Sequence, residues 1–230
     1  MSKFVQLSVC IVFMVWGSIF KSTAQDWPNL KRYAEANAQV DSIYAKENRV
    51  VFMGNSITEG WVNSDPDFFT KNNFIGRGIS GQTTPQMLLR FRQDVIDLKP
   101  VAVVILAGTN DIAGNTGPMT TAQIFDNMVS MIELAEANGI VPIISSILPA
   151  AKYPWKPEVD SVGPILELNT MLKYYCEGKG LVYLDYFSEM VNEANGLPEA
   201  LSYDGVHPTD EGYQVMKPLA LAAIQEALKH

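Results

Sequence analysis

Five short strand-like stretches, at residues 50–53, 73–81, 101–107, 140–148 and 181–185, alternate with longer stretches whose apolar residues recur at helical spacing. The clearest are V-V-F-M at 50–53 and V-A-V-V-I-L-A at 101–107. They are apolar without alternation, as strands covered on both faces are. Strands and helices alternating in this way imply a parallel sheet with helices on both faces and right-handed crossovers. The expected architecture is therefore a three-layer α/β/α sandwich around a five-stranded parallel sheet.

The helical stretches have recognisable ends. Residues 26–47 carry Trp27, Leu30, Ala34, Val40, Ile43 and Tyr44 at helical spacing and predict a helix on the outside of the sheet. Thr84 and Pro85 open a helix that ends before Pro100, and Thr120 or Thr121 caps one closed by Gly139. Further helices are expected over 163–178 and 210–228, with Pro218 set to kink the last unless that helix begins there. A short helical turn is expected at 64–69. The connection at 149–162 is long for a compact domain, so it is either functional or mobile.

Residues 1–24 look like a targeting segment: Lys3, an apolar run over 4–20, and Ser22-Thr23-Ala24 as a small-residue cleavage site. The run approaches the roughly 18–20 residues of a membrane span, so an uncleaved anchor is the alternative; the small residues favour removal. Cys10 sits inside the apolar run, badly placed to carry a lipid. The expected product is an exported, single-domain chain over 25–230 that keeps only Cys176 and so has no internal disulfide. With 17 Lys and Arg against 25 Asp and Glu the net charge is −8, and no basic run offers a track for phosphates. Nucleic acid is not expected as a partner, nor is a stable membrane partner once the leader is removed. Oligomeric state is not legible.

Parallel strands bring their carboxyl ends to one edge, where ligands bind in open α/β sheets. Four polar stretches fall there: Gly54-Asn55-Ser56 after the first strand, Gly78 after the second, Gly108-Thr109-Asn110-Asp111 after the third, and Asp204-Gly205-Val206-His207 after the fifth. Each alone has a plain structural reading. Ser56 suits a helix N-cap, Asn110 and Asp204 suit turns, and Gly78 suits a tight bend. Together they supply the parts of acyl transfer: a hydroxyl nucleophile, a base, a carboxylate to orient it, and oxyanion donors. The chain has two histidines, and His230 at the terminus is a poor base, so histidine chemistry falls to His207.

These four blocks resemble, in order and spacing, the signature blocks of the SGNH/GDSL hydrolase superfamily, whose members include esterases like platelet-activating-factor acetylhydrolase. The resemblance spans residue 49 to the C-terminal helix. It implies a flavodoxin-like α/β/α fold and a metal-independent serine esterase without cofactor. By resemblance Ser56 is the nucleophile, His207 the base and Asp204 its support, with the Ser56 and Gly78 N–H groups and the Asn110 amide as oxyanion donors. Asn55 departs from the family's usual aspartate. One usable histidine and one cysteine leave a metal site only carboxylates to work with, and the G-x-S-x-G elbow of α/β-hydrolases is absent.

Trp61, Tyr153 and Trp155 are expected in loops near the site, where they either stack on a sugar or line an acyl pocket, or else anchor their loops. The expected substrate is a small-molecule or glycan ester with a small acyl group, acetyl being the expected one. No amphipathic lid suggests a lipase-like or lysophospholipase-like enzyme. The alternatives are a non-catalytic carbohydrate-binding protein of the same fold and an envelope acyltransferase.

Overall fold

The computed structural model describes residues 25–229. The leader expected at 1–24 and the terminal His230 lie outside the described residues. Two short helices, α1 (Ala34–Ala38) and α2 (Val40–Ile43), precede β1 (Val50–Gly54). Next come α3 (Ser56–Ser64), α4 (Pro66–Lys71), β2 (Phe74–Gly78), α5 (Thr84–Asp94) and a 3₁₀ turn (Ile96–Leu98). β3 (Ala102–Leu106), α6 (Thr109–Ile112), α7 (Thr121–Ala137) and β4 (Val141–Ser145) follow. The chain continues through α8 (Val162–Lys179), β5 (Val182–Leu184), α9 (Tyr186–Met190) and α10 (Asp210–Ala227).

All five strands are parallel, in the order β2-β1-β3-β4-β5. Successive residues of a strand face opposite sides, so each strand feeds two cores. Val51, Met53, Val103 and Ile105 pack with Met87 and Phe91 of α5, Met128 and Ile132 of α7, and Leu168 and Leu172 of α8. Val50, Phe52 and Val104 pack on the other side with Trp61 of α3, Phe69 of α4, and Tyr213 and Met216 of α10. This is the three-layer sandwich expected from the apolar runs.

One stretch departs from expectation. The helix predicted over 26–47 is broken into turns and two single-turn helices, with Asn29 in the left-handed region at φ 57°. Its apolar spacing does not serve a core: Trp27, Leu30 and Ile43 stay exposed and only Val40 is buried. Its polar side chains instead cover the outer edge of β2. The Tyr33 hydroxyl donates to the Gly78 carbonyl, and Arg77 Nε donates to Asn37 Oδ1 at 2.8 Å. An edge strand has unpaired backbone groups, and Tyr33 occupies one of them, the Gly78 carbonyl. Elsewhere α10 runs through Pro218 rather than starting there.

Candidate active site

Ser56 is the first residue of α3. Asn55 caps that helix, its Oδ1 accepting the Ile57 N–H at 3.0 Å. Strand β1 ends immediately before, so the hydroxyl stands at the carboxyl edge of the sheet beside a helix N-terminus whose first N–H groups have no intrahelical acceptor. Asn55 is fully buried, and its Nδ2 has no partner among the described residues. The asparagine that departs from the resembled pattern therefore keeps the cap and leaves one buried donor unsatisfied.

The stretch before α10 brings the histidine across. Gly205, at φ 84°, lets residues 202–207 fold into a tight turn. Ser202 Oγ accepts the Gly205 N–H at 2.9 Å and donates to the His207 carbonyl at 2.8 Å. Asp204 Oδ1 accepts the Val206 and His207 N–H groups at 2.9 and 2.7 Å, while Oδ2 meets His207 Nδ1 at 2.7 Å. Burial opposes ionisation of Asp204, but the bonds from His207 and Val206 outweigh it and hold the carboxyl below the ordinary aspartate value. A carboxylate only accepts, so the proton of a neutral ring sits on Nδ1. That leaves the Nε2 lone pair facing Ser56 Oγ, 2.9 Å away.

Ser56 and His207 open onto a cavity of about 290 Å³, lined also by Ser80, Gly81, Asn110, Asn115 and Trp155. Asn110 lies in α6 and is buried; its Nδ2 donates to the Gln82 carbonyl at 2.9 Å and its Oδ1 accepts from Asn115 Nδ2 at 3.0 Å. One Nδ2 hydrogen remains free among the described residues. Among the described residues the N–H groups of Ser56 and Gly81 also have no acceptor. Gln82 is itself held by Arg90, which is buried, paired with Asp94 at 3.0 Å, and bonded to the Gly54 carbonyl at 2.9 Å.

Gly78 is not at this cavity. The Ile79 N–H bonds back to Gly54 of β1, and the Gly78 carbonyl is taken by Tyr33 on the opposite edge of β2. In an extended strand a residue's N–H and C=O share one side, so the Gly78 N–H points to that outer edge, away from Ser56. Its glycine is needed for another reason: a Cβ there would run into backbone atoms of Asn55, Thr58 and Glu59, where α3 crosses β2. Gly81, at φ 77°, is the glycine at the cavity.

The three expected aromatic residues separate. Trp61 is not in a loop but in α3, 2% exposed, stacked between Phe68 and Tyr213 at centroid distances of 5.2 and 5.6 Å. Tyr153 is fully buried and serves as the anchor of its loop. Neither reaches the cavity. Trp155 does: its ring lies 6.0 Å from His207, and its Nε1–H donates to Asn115 Oδ1 at 3.2 Å. Tyr203, missed from the sequence, is 71% exposed and stacked on His207 at 5.7 Å and 11°. Ser80, Gly81 and Asn115 were missed as well. A clue was present in Ile79-Ser80-Gly81, where a polar turn follows the last apolar residue after β2.

A family model for the GDSL-like lipase/acylhydrolase family matches residues 52–215, from β1 into α10. A Bacteroides fragilis NCTC 9343 protein assigned as an acylhydrolase is 51% identical, with a TM-score of 0.86, covering 89% of this chain and 99% of that one. A GDSL-like lipase from Bacteroides thetaiotaomicron VPI-5482 is 50% identical, with a TM-score of 0.84 and coverage of 87% and 99%. The uncharacterized lipoprotein YqeF of Bacillus subtilis (strain 168) is 41% identical over 80 residues, 34% of this chain and 33% of YqeF, so the match spans about a third of either protein.

Proposed function

The chain belongs to the GDSL-like lipase/acylhydrolase family, enzymes of the esterase class, and we propose that it is a serine esterase for small acyl esters using Ser56, His207 and Asp204. The observation that carries this reading is the line from Asp204 Oδ2 through the His207 ring to Ser56 Oγ, 2.7 and 2.9 Å, at the start of a helix. His207 Nε2 takes the Ser56 proton as Oγ attacks the ester carbonyl, and Asp204 stabilises the imidazolium that forms. The tetrahedral oxyanion is met by the Ser56 and Gly81 N–H groups and the free Nδ2 hydrogen of Asn110. Gly81 takes the place first assigned to Gly78. His207 then returns the proton to the leaving alcohol, and water attacks the acyl-enzyme by the same route.

Substrate size follows from the cavity. The cavity of about 290 Å³ has Trp155 as the single large apolar side chain of its lining, beside Ser80, Asn110 and Asn115, which suits an acetyl-sized acyl group better than a long alkyl chain. Trp155 and Tyr203, partly and largely exposed and each with its ring next to that of His207, suit a leaving group with a flat apolar face such as a sugar ring. An acetylated carbohydrate is the substrate class that uses both features. The leader expected at 1–24 and partial likeness to a lipoprotein support action outside the cytoplasm.

The test is hydrolysis of p-nitrophenyl acetate, butyrate and octanoate beside an acetylated oligosaccharide. Activity is expected to fall steeply with acyl length. Octanoate turned over as fast as acetate would refute the small-acyl assignment.

A further inference from the structure

A second cavity, of about 240 Å³, lies on the outer side of β2 between the N-terminal segment and α3 and α4. Arg77 forms part of its lining with Arg32, Tyr33, Tyr44, Glu59 and Phe69. Arg77 is 5% exposed, yet it has no ion pair among the described residues. Its Nε goes to Asn37 Oδ1 and one Nη1 hydrogen to the Gly76 carbonyl, each at 2.8 Å; Nη2 has no acceptor among the described residues. The nearby carboxylate of Asp94 is already held by Arg90 at 3.0 Å and by Asn37 at 2.7 Å. A guanidinium buried to this degree, with Nη2 unpaired and open to the cavity, offers an anion there a charge-assisted bond.

The surroundings say what kind of group would do so. Arg32 lies at the same cavity, its Cζ and that of Arg77 each 4.8 Å from the centroid of the Tyr33 ring. Arg32 is paired with Glu59 at 3.0 Å. Two guanidinium groups thus face one carboxylate, an excess of one positive charge, which matches a monoanion rather than a phosphate dianion. A planar carboxylate also fits the two-pronged guanidinium edge. The Tyr33 ring is covered by the two guanidinium groups, and the half-buried Tyr44 offers flat apolar surface to the body that carries the carboxylate.

We propose that this cavity binds a small ring-bearing carboxylate, a uronic acid residue in class, with the carboxylate on the open Nη2 of Arg77 beside Arg32 and the ring against Tyr44. The site stands independently of the reaction at Ser56. It nevertheless shares a wall with the Ser56 cavity: Glu59 takes Arg32 on one oxygen and the Ser80 N–H on the other at 2.9 Å, and Ser80 lines the Ser56 cavity.

Calorimetric titration of the purified protein with glucuronate, glucose and inorganic phosphate tests this. Glucuronate is expected to bind, with glucose and phosphate weaker by about tenfold or more. Arg77→Met is expected to abolish glucuronate binding, and the half-exposed Arg32→Gln, which removes no core packing, to weaken it severalfold. Ser56→Ala is expected to leave it unchanged. Absence of glucuronate binding, equal binding of phosphate, or full affinity in Arg32→Gln would overturn the proposal. Lost binding in Ser56→Ala would overturn it too, by placing the ligand in the other cavity. Failure of the esterase reading alone would leave these binding results as they stand.

Discussion

Asn115 donates from Nδ2 to Oδ1 of Asn110 at 3.0 Å, and this bond fixes which end of the Asn110 amide is the oxygen. The Gln82 carbonyl holds the other end at 2.9 Å, and Trp155 steadies Asn115 through its Oδ1. A chain of three side chains therefore runs from the 149–162 loop to the amide proposed to meet the oxyanion. Asn115→Ala is expected to lower kcat on p-nitrophenyl acetate by about tenfold with KM little changed, because the donor is loosened rather than removed. Asn110→Ala is expected to cost roughly 10²–10³ in kcat. An unchanged kcat in Asn115→Ala would mean that Gln82 alone orients the amide.

Asp111, next to Asn110, predicts an unusual pH dependence of stability. Burial pushes its carboxyl up to about 6, although Oδ1 accepts the Thr84 N–H at 2.8 Å and the Thr84 hydroxyl at 2.6 Å; Oδ2 is buried without a partner among the described residues. In the unfolded chain an aspartate titrates near ~3.9. Between those values the folded state holds the proton more tightly. Stability from this group is therefore full below about pH 4 and lost as pH rises through about 6, in all roughly 3 kcal/mol. Asp204, held low, acts in the opposite sense. Melting curves of Asp111→Asn against the unmodified protein at pH 4.5 and 7.5 isolate the effect: the variant should gain relative stability at the higher pH. A pH-independent difference between the two would contradict it.

Trp61 and Trp155 are expected to fail in different ways. Trp61→Ala empties a site packed by Phe52, Phe68, Phe69 and Tyr213 and should cost about 3–5 kcal/mol by denaturant unfolding. Trp155→Ala should change stability little. It should raise KM for an acetylated oligosaccharide severalfold more than for p-nitrophenyl acetate, and equal effects on both would remove the sugar-stacking role.

What could be read from the sequence follows from what burial writes into it. Strands covered on both faces become unbroken apolar runs, so β1 and β3 were visible, and parallel pairing then placed Ser56, Asn110, Asp204 and His207 at one edge. The structure brings those four together. Gly78 and Gly81 could not be told apart, because composition does not say which residue is the last paired one on an edge strand; the Ile79 bond to Gly54 and the Tyr33 bond to Gly78 decide it. Trp61 and Tyr153 sit among polar and proline residues that suggest loops, yet both are buried. Helical spacing over 26–47 misled for a related reason: the segment is held by polar bonds to the edge of β2, which leave no periodic apolar signature.

The central claim is that Ser56 becomes acylated with His207 as its base. Intact-mass analysis after brief exposure to an activated fluorophosphonate, with peptide mapping of the adduct, tests this directly. Stoichiometric modification at Ser56 is expected, absent in Ser56→Ala and slowed by orders of magnitude in His207→Ala. Modification at another residue, or equal labelling of the Ser56→Ala protein, would contradict it.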